Sequence, residues 1–250
     1  KEAAKDRQPL VKLCYEEATS SLCWLPDNPH MLTVGTSMGW VRIFDTRVGD
    51  KGSAEASLMA HPAARPRKVK GVMPDPFNSH ILATYSDTAG ESIKLWDIRK
   101  DTSSKSKLTA LFTISPGEPE GQQGAQVTVT DFQWSLDRAN VCVVATNRHK
   151  QILFFNTSKS AADVVTRTPI HTIPINESIK SMSWEVPIGS SRSDSEGSTN
   201  RLLVATQSKV VECKVTESVP LSFSSKGTTI NGAYCVETSL PTTKTKKQFR

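Results

Sequence analysis

The residues best placed to do chemistry lie in Gly35-Thr36-Ser37-Met38-Gly39, which fits the G-x-S-x-G pattern of a nucleophile elbow. That device needs a strand before the serine and a helix after it, with the serine on a strained turn. The next segment, Trp40–Arg47 (WVRIFDTR), instead alternates with a period of two, as a strand does. A tight β-turn calls on glycine for the same steric reason as the elbow. The pentapeptide is therefore expected to be a hairpin turn, and Ser37 no nucleophile. His30, His61, His80, His149 and His171 have no second ligand or carboxylate at diagnostic spacing. Cys14, Cys23, Cys142, Cys213 and Cys235 contain no C-x-x-C pair and read as free thiols, most of them in strands. No Gly-rich phosphate loop of either common type occurs. No catalytic, cofactor or metal site is expected.

The elements that would have to carry any site are repeated strands. Ser92–Arg99 (SIKLWDIR) alternates and closes on Trp96-Asp97, the dipeptide cue of a propeller blade. Trp40–Arg47 is the same strand with Phe44 and Asp45 in the closing positions. Gln151–Asn156 (QILFFN) closes on Phe155 and Asn156, and Val210–Val215 (VVECKV) is a degenerate fourth copy. An apolar strand precedes each: Met31–Gly35, Ile81–Tyr85, Val141–Thr146 and Leu202–Thr206. A third strand lies upstream of each pair, at Ser20–Pro26, Val69–Pro74, Thr130–Ser135 and Ile179–Trp184. The closing positions are spaced more widely than the ~40–45 residues of a usual WD repeat, the excess being polar loop.

The fold class this predicts is all-β: a WD40-type β-propeller with about four recognisable blades, part of a larger ring. Asp45 and Asp97 are expected to end their strands and to accept hydrogen bonds from nearby backbone, a task Asn156 could do without charge. Trp24, Trp134 and Trp184 recur on the inner strands, with Met73 at the matching place in the second repeat, and read as inter-blade packing. Pro9–Tyr15 reads as the last strand of an earlier blade, and Ala56–Met59 and Ala110–Ile114 as outer strands. The exposed faces of the terminal blades should be covered by further chain or by a partner.

The blades span residues 1–223, with flexible insertions at about 115–126 and 189–200, both rich in Gly and polar residues. Residues 224–250 read as a basic tail or the start of a further segment, and Thr229–Val236 as a possible start of another blade. The chain begins KEAAKDRQ, with no initiator methionine and no apolar leader, and reads as an internal piece. No apolar run reaches the ~18–20 residues of a membrane span. The net charge of +6 is partly concentrated in Lys244, Lys246, Lys247 and Arg250. It is not interleaved with aromatics on one face, so nucleic acid is not an expected partner.

Leu22–Pro26 (LCWLP), Gly35–Arg47 (GTSMGWVRIFDTR), Val69–Phe77 (VKGVMPDPF) and Ile93–Lys100 (IKLWDIRK) closely resemble, in wording and order, the Mio (missing oocyte, Mios) family. The resemblance is specific over about residues 15–100, diffuse to about 215 and absent beyond. Mio proteins carry a propeller, a helical solenoid and a zinc-binding RING-like module. The last two are not visible here, and no family site residue is matched. The resemblance implies a non-enzymatic scaffold, without cofactor, whose partners are other WD-repeat subunits of the GATOR (yeast SEA) assembly. That assembly relays amino-acid sufficiency to TOR kinase, which implies a cytoplasmic location at the lysosomal or vacuolar surface, reached through partners. The open alternative is another WD-repeat adaptor, such as a ubiquitin-ligase substrate receptor or a trafficking coat component.

Overall fold

The computed structural model describes residues 12–14, 17–48, 56–60, 67–86, 93–99, 110–119, 124, 126–158, 165–166, 168–185, 200–215 and 234–239. Among these, every regular element is a strand, and the strands form four sheets. Blade 1 comprises β1 (Thr19–Leu25), β2 (Asn28–Thr36), β3 (Trp40–Asp45) and β4 (Ala56–Met59), paired in chain order. Blade 2 comprises β5 (Val69–Pro74), β6 (Ile81–Ser86), β7 (Ile93–Asp97) and β8 (Phe112–Ile114). Blade 3 runs through β9 (Val129–Trp134), β10 (Val141–Thr146) and β11 (Gln151–Asn156). The next strand, β12 (Val165–Thr166), pairs parallel with β8 as a fifth strand of blade 2, and β13 (His171–Pro174) completes blade 3. Blade 4 comprises β14 (Ile179–Glu185), β15 (Asn200–Thr206), β16 (Lys209–Val215) and β17 (Tyr234–Ser239).

The chain divides into two compact units. The first holds blades 1 and 2, with Gln126–Val129 and Lys159–Arg167. Its core sets Val41 and Leu58 of blade 1 against Val69, Val72, Leu82 and Trp96 of blade 2. The second unit holds blades 3 and 4. There Val141, Val143, Ile152 and Phe154 of blade 3 meet Ile179, Met182, Trp184, Leu202 and Val204 of blade 4. Alternation explains both cores. Successive side chains point to opposite faces, so one strand supplies apolar residues to either side.

Three inner strands share one irregularity. The pairing slips between Thr19 and Ser21, between Val69 and Gly71, and between Ile179 and Ser181. The residue left out is the second of the strand, and a bulge re-aims such a side chain. Ser20 Oγ donates to the Val69 carbonyl at 2.5 Å and to the Gly35 carbonyl at 3.0 Å. Thr130, second in β9, donates to the Ile179 carbonyl at 3.3 Å. Within each unit, then, the inner strand of one blade is tied to the first carbonyl of the next by a side-chain hydrogen bond.

Several expectations need correction. β2 begins at Asn28, inside the run read as a turn. Pro29 is accommodated because the register shifts there, so no ladder donor is required of it. Pro74, not Met73, occupies the tryptophan position of blade 2. Pro74 faces Leu82 as Trp24 faces Leu32 and Trp184 faces Leu202, and a one-residue slip reverses the face. The outer strand of blade 2 is Phe112–Ile114, shorter than Ala110–Ile114. Tyr234–Ser239, in the stretch read as a tail or as the opening of another blade, pairs antiparallel with β16 and is the outer strand of blade 4. Residues 9–11 and 15 of the N-terminal strand reading, the second insertion up to residue 199, the basic residues after 240 and His61 lie outside the described residues. Lys12–Cys14 carries no strand, and the described part of the 115–126 insertion carries none either.

Candidate interaction surface at the blade turns

The closing positions are built alike. Phe44, Trp96 and Phe155 face Leu32, Leu82 and Cys142 across their hairpins, and all three are buried. In blade 4 the position facing Leu202 is taken by Cys213, also buried. Trp96 adds a polar tie, its indole N–H donating to Thr84 Oγ1 at 2.9 Å. One residue on, Asp45 Oδ1 accepts from the Arg47 amide at 2.9 Å and Asp97 Oδ1 from the Arg99 amide at 3.0 Å. Asn156 Oδ1 accepts from the Ser158 amide at 2.7 Å, the same turn without charge. In the two acidic copies the arginine also folds back onto the carboxylate, Nε–Oδ1 being 3.0 Å in each.

This arrangement fixes the protonation of both acids. The Arg47 side-chain hydrogen bond holds the Asp45 carboxyl at about 2, and that of Arg99 does the same for Asp97. Both folded values lie below the ordinary carboxylate value of 3.8. The stability they contribute is thus complete above that value and lost as pH falls toward about 2. We expect the thermal midpoint to drop across this window. The double variant D45N/D97N should flatten that drop, and an unchanged acid limb in the variant would refute the assignment.

The other end of each central hairpin carries a hydroxyl that the strand pattern does not reveal. Thr36, Ser86, Thr146 and Thr206 each end the second strand and are buried. Thr36 Oγ1 accepts from the amides of Met38 and Trp40, at 3.2 and 3.3 Å. Thr206 Oγ1 accepts from Ser208 and Lys209, at 3.4 and 3.2 Å. Thr146 Oγ1 accepts from the His149 amide at 3.0 Å and meets His149 Nδ1 at 2.8 Å. A carboxylate reaches the same end in blades 1 and 4. Glu17 pairs with Arg42. Burial raises its pKa, but hydrogen bonding to Thr36 and Arg42 outweighs this and leaves it lowered. Glu177 accepts from Thr206 Oγ1 at 2.7 Å and from Ser208, and these bonds lower its pKa. The signal available in the sequence was a Thr or Ser at the end of every second strand, with Glu two residues before two of the inner strands.

Ser37 lies in the β2–β3 turn and is followed by a strand, not a helix. Both glycines of its pentapeptide have structural causes. Gly39 has a φ of 85°. A Cβ at Gly35 would come within 2.8 Å of Val69 and 2.9 Å of Val72, where blade 2 packs. His30 is exposed in β2, not in a turn, and His80 is half-buried in a turn, whereas His149 and His171 are partly buried, and burial lowers the pKa of both. Cys142 and Cys213 are buried and Cys14 and Cys23 partly buried, and none of the four is in a disulfide. Among the described residues no group of three His, Cys, Asp or Glu side chains is placed to hold a metal ion.

Of the inner-strand tryptophans, Trp134 and Trp184 are buried, whereas Trp24 is half exposed. Asp131 was not anticipated. It is buried in β9 and accepts from the Phe132 amide at 2.8 Å and from the Met182 amide of β14 at 2.6 Å, tying blade 3 to blade 4. The arrangement as a whole is a set of tightly hydrogen-bonded turns on stacked sheets, suited to presenting side chains in fixed positions.

No protein-family model matches the chain. In sequence it is similar to the GATOR2 complex protein MIOS of Dictyostelium discoideum, with 41% identity over 92 residues. That match takes in 37% of this chain and spans only 7% of the Dictyostelium protein. In structure it is similar to a chain of a humanized mutant of the Chaetomium thermophilum Polycomb Repressive Complex 2. The TM-score is 0.52 and the identity 14%, over 88% of this chain and 42% of that one. Raptor of the same fungus aligns over 78% of this chain and 15% of its own, with a TM-score of 0.49 and 17% identity. Among the described residues no helix is long and apolar enough to cross a membrane.

Proposed function

We propose that this chain belongs to a non-enzymatic WD-repeat scaffold subunit of a GATOR- or SEA-like complex, relaying amino-acid sufficiency to TOR kinase. The observation that carries this reading is the 41% identity over 92 residues with a GATOR2 complex protein. The mechanism is contact. Rigid hairpins, each closed by a buried aromatic or thiol at one end and a buried hydroxyl at the other, hold turns and edges at fixed places for other proteins. Side chains such as Phe77 and Leu136, exposed just beyond the inner strands, are the kind of group such turns offer. The partners are other WD-repeat subunits. The location is cytoplasmic, at the lysosomal or vacuolar surface, with membrane association only through those partners. Nucleic acid plays no part.

The test is affinity capture of the full-length protein from its own cells, with mass spectrometry of the associated chains. Recovery of the other WD-repeat subunits of such a complex is the expected result. Recovery of a cullin ligase or a vesicle coat in their place would overturn the nutrient-signalling reading.

A further inference from the structure

Blade 4 departs from the other three at its outer strand. Among the described residues, the outer strands of blades 1, 2 and 3 pair with their third strands as far as Ile43, Leu95 and Phe154, the residue before the closing position. In blade 4 the pairing runs on: Glu212 faces Val236, Cys213 faces Cys235 and Lys214 faces Tyr234. The closing position of this blade therefore has a direct partner in the outer strand, and both residues are cysteine. Cys213 stands opposite Leu202, where the other blades carry Phe44, Trp96 or Phe155. It is buried in the core with Val211 and Val215 and is in no disulfide. The other cysteines have no such counterpart. Cys23 faces Thr33, Cys142 faces Phe155, and Cys14 is in no strand.

Directly opposite residues of an antiparallel pair have Cα atoms about 4.5 or 5.5 Å apart, depending on the class of pair. A disulfide spans about 4.4–6.8 Å between Cα atoms, so either class accepts one without backbone movement. We infer that Cys213 and Cys235 are a redox-active pair that closes to a cross-strand disulfide and staples the outer strand of blade 4 to its third strand. β17 is at the edge of its sheet and is paired with β16 alone. In the dithiol state one backbone ladder holds it, and an element held on one side opens more readily than the core. In the disulfide state the attachment is covalent.

The co-reactant is a small organic disulfide, and glutathione disulfide is the probe. Burial keeps Cys213 from solvent, so Cys235, on the edge strand, reacts first when β17 opens. Its thiolate attacks one sulfur of glutathione disulfide, that S–S bond breaks, and one glutathione thiolate leaves. Cys213 then gives its proton to water. Its thiolate attacks the Cys235 sulfur of the mixed disulfide and expels the second glutathione thiolate. Each glutathione thiolate takes up a proton. The two cysteines lose two electrons and two protons in all, and glutathione disulfide gains them. Register makes the pair selective: as β17 re-forms its ladder, residue 235 returns to its place opposite Cys213. The inference rests on the register of blade 4 and stands whichever complex the protein serves.

The full-length protein, treated with glutathione disulfide, alkylated without reduction and digested for mass spectrometry, tests it. The expected product is a peptide pair joined through Cys213 and Cys235. In the same sample the Tyr234–Ser239 amides should exchange with solvent at least about tenfold more slowly than in the reduced protein. Dithiothreitol should restore the faster rate. Both readouts are taken on the natural sequence, so neither depends on a variant that folds. No linked peptide, oxidation that stops at mixed disulfides with glutathione, or a linkage of Cys213 to any other cysteine would overturn the inference. So would a Cys213–Cys235 linkage that leaves the exchange of β17 unchanged.

Discussion

Replacing Trp96 with alanine is expected to cost roughly 3–5 kcal/mol of folding free energy, the range for emptying a buried aromatic site. Trp96 is 3% exposed and lies in the core between blades 1 and 2, against Leu82 and its neighbours. The substitution removes that packing and also the indole donor to Thr84 Oγ1. The cavity cannot close easily, because β7 is paired on both sides, with β6 and with β8. Trp24→Ala is the control, and with an exposed ring it should cost less than about 1 kcal/mol. Denaturant midpoints at unchanged slope would report both. Equal losses for the two tryptophans would mean that the strand phase of blade 1 or blade 2 is wrong.

Gly71→Ala should cost about 3 kcal/mol, the upper part of the range for overpacking a core. Gly71 faces Tyr85 directly across the β5–β6 pair, and the tyrosine ring lies over it. A Cβ at position 71 would fall 1.9 Å from Tyr85 Cε1 and 2.5 Å from its Cζ. Tyr85 is itself buried, so the ring has little room to move. The strain belongs to the pair and not to the backbone, and that makes it separable. In a Tyr85→Ala background the ring is gone. There Gly71→Ala should be neutral or stabilising by up to about 1 kcal/mol, through reduced freedom of the unfolded chain. The same cost in both backgrounds would show that position 71 is constrained by something other than Tyr85.

How much of this was legible depended on how local each signal is. The second and third strands were legible because alternation and a closing aromatic-acid pair are written in consecutive residues. The turn assignment of Gly35–Gly39 followed from the strand after it, and the two glycines proved to have two different causes. The Asx-type turns at Asp45, Asp97 and Asn156 were legible for the same reason. The inner-strand bulges were not, since an unpaired second residue leaves no trace in a period-two pattern. Taking Met73 as the partner of the tryptophans is the one-residue slip that such blindness produces. Gly71 sat in plain view inside a strand, where glycine often marks a close approach, but the tyrosine above it comes from the next strand. The outer strand of blade 4 was obscured because a long polar stretch separates Tyr234 from Val215. Trp24 is half exposed although its strand position matches those of Trp134 and Trp184, because burial depends on what lies against a strand, which no local pattern records.

Four repeated antiparallel blades carry this fold, and their central hairpins form its rigid part. Hydrogen exchange of the full-length protein, resolved by mass spectrometry, addresses that claim most directly. The prediction is that Ile81–Ser86, Val141–Thr146 and Asn200–Thr206 exchange slowly together with their third strands, while the turns at Phe77 and Leu136 exchange fast. Fast exchange throughout Val141–Thr146, a strand buried along its whole length, would contradict it.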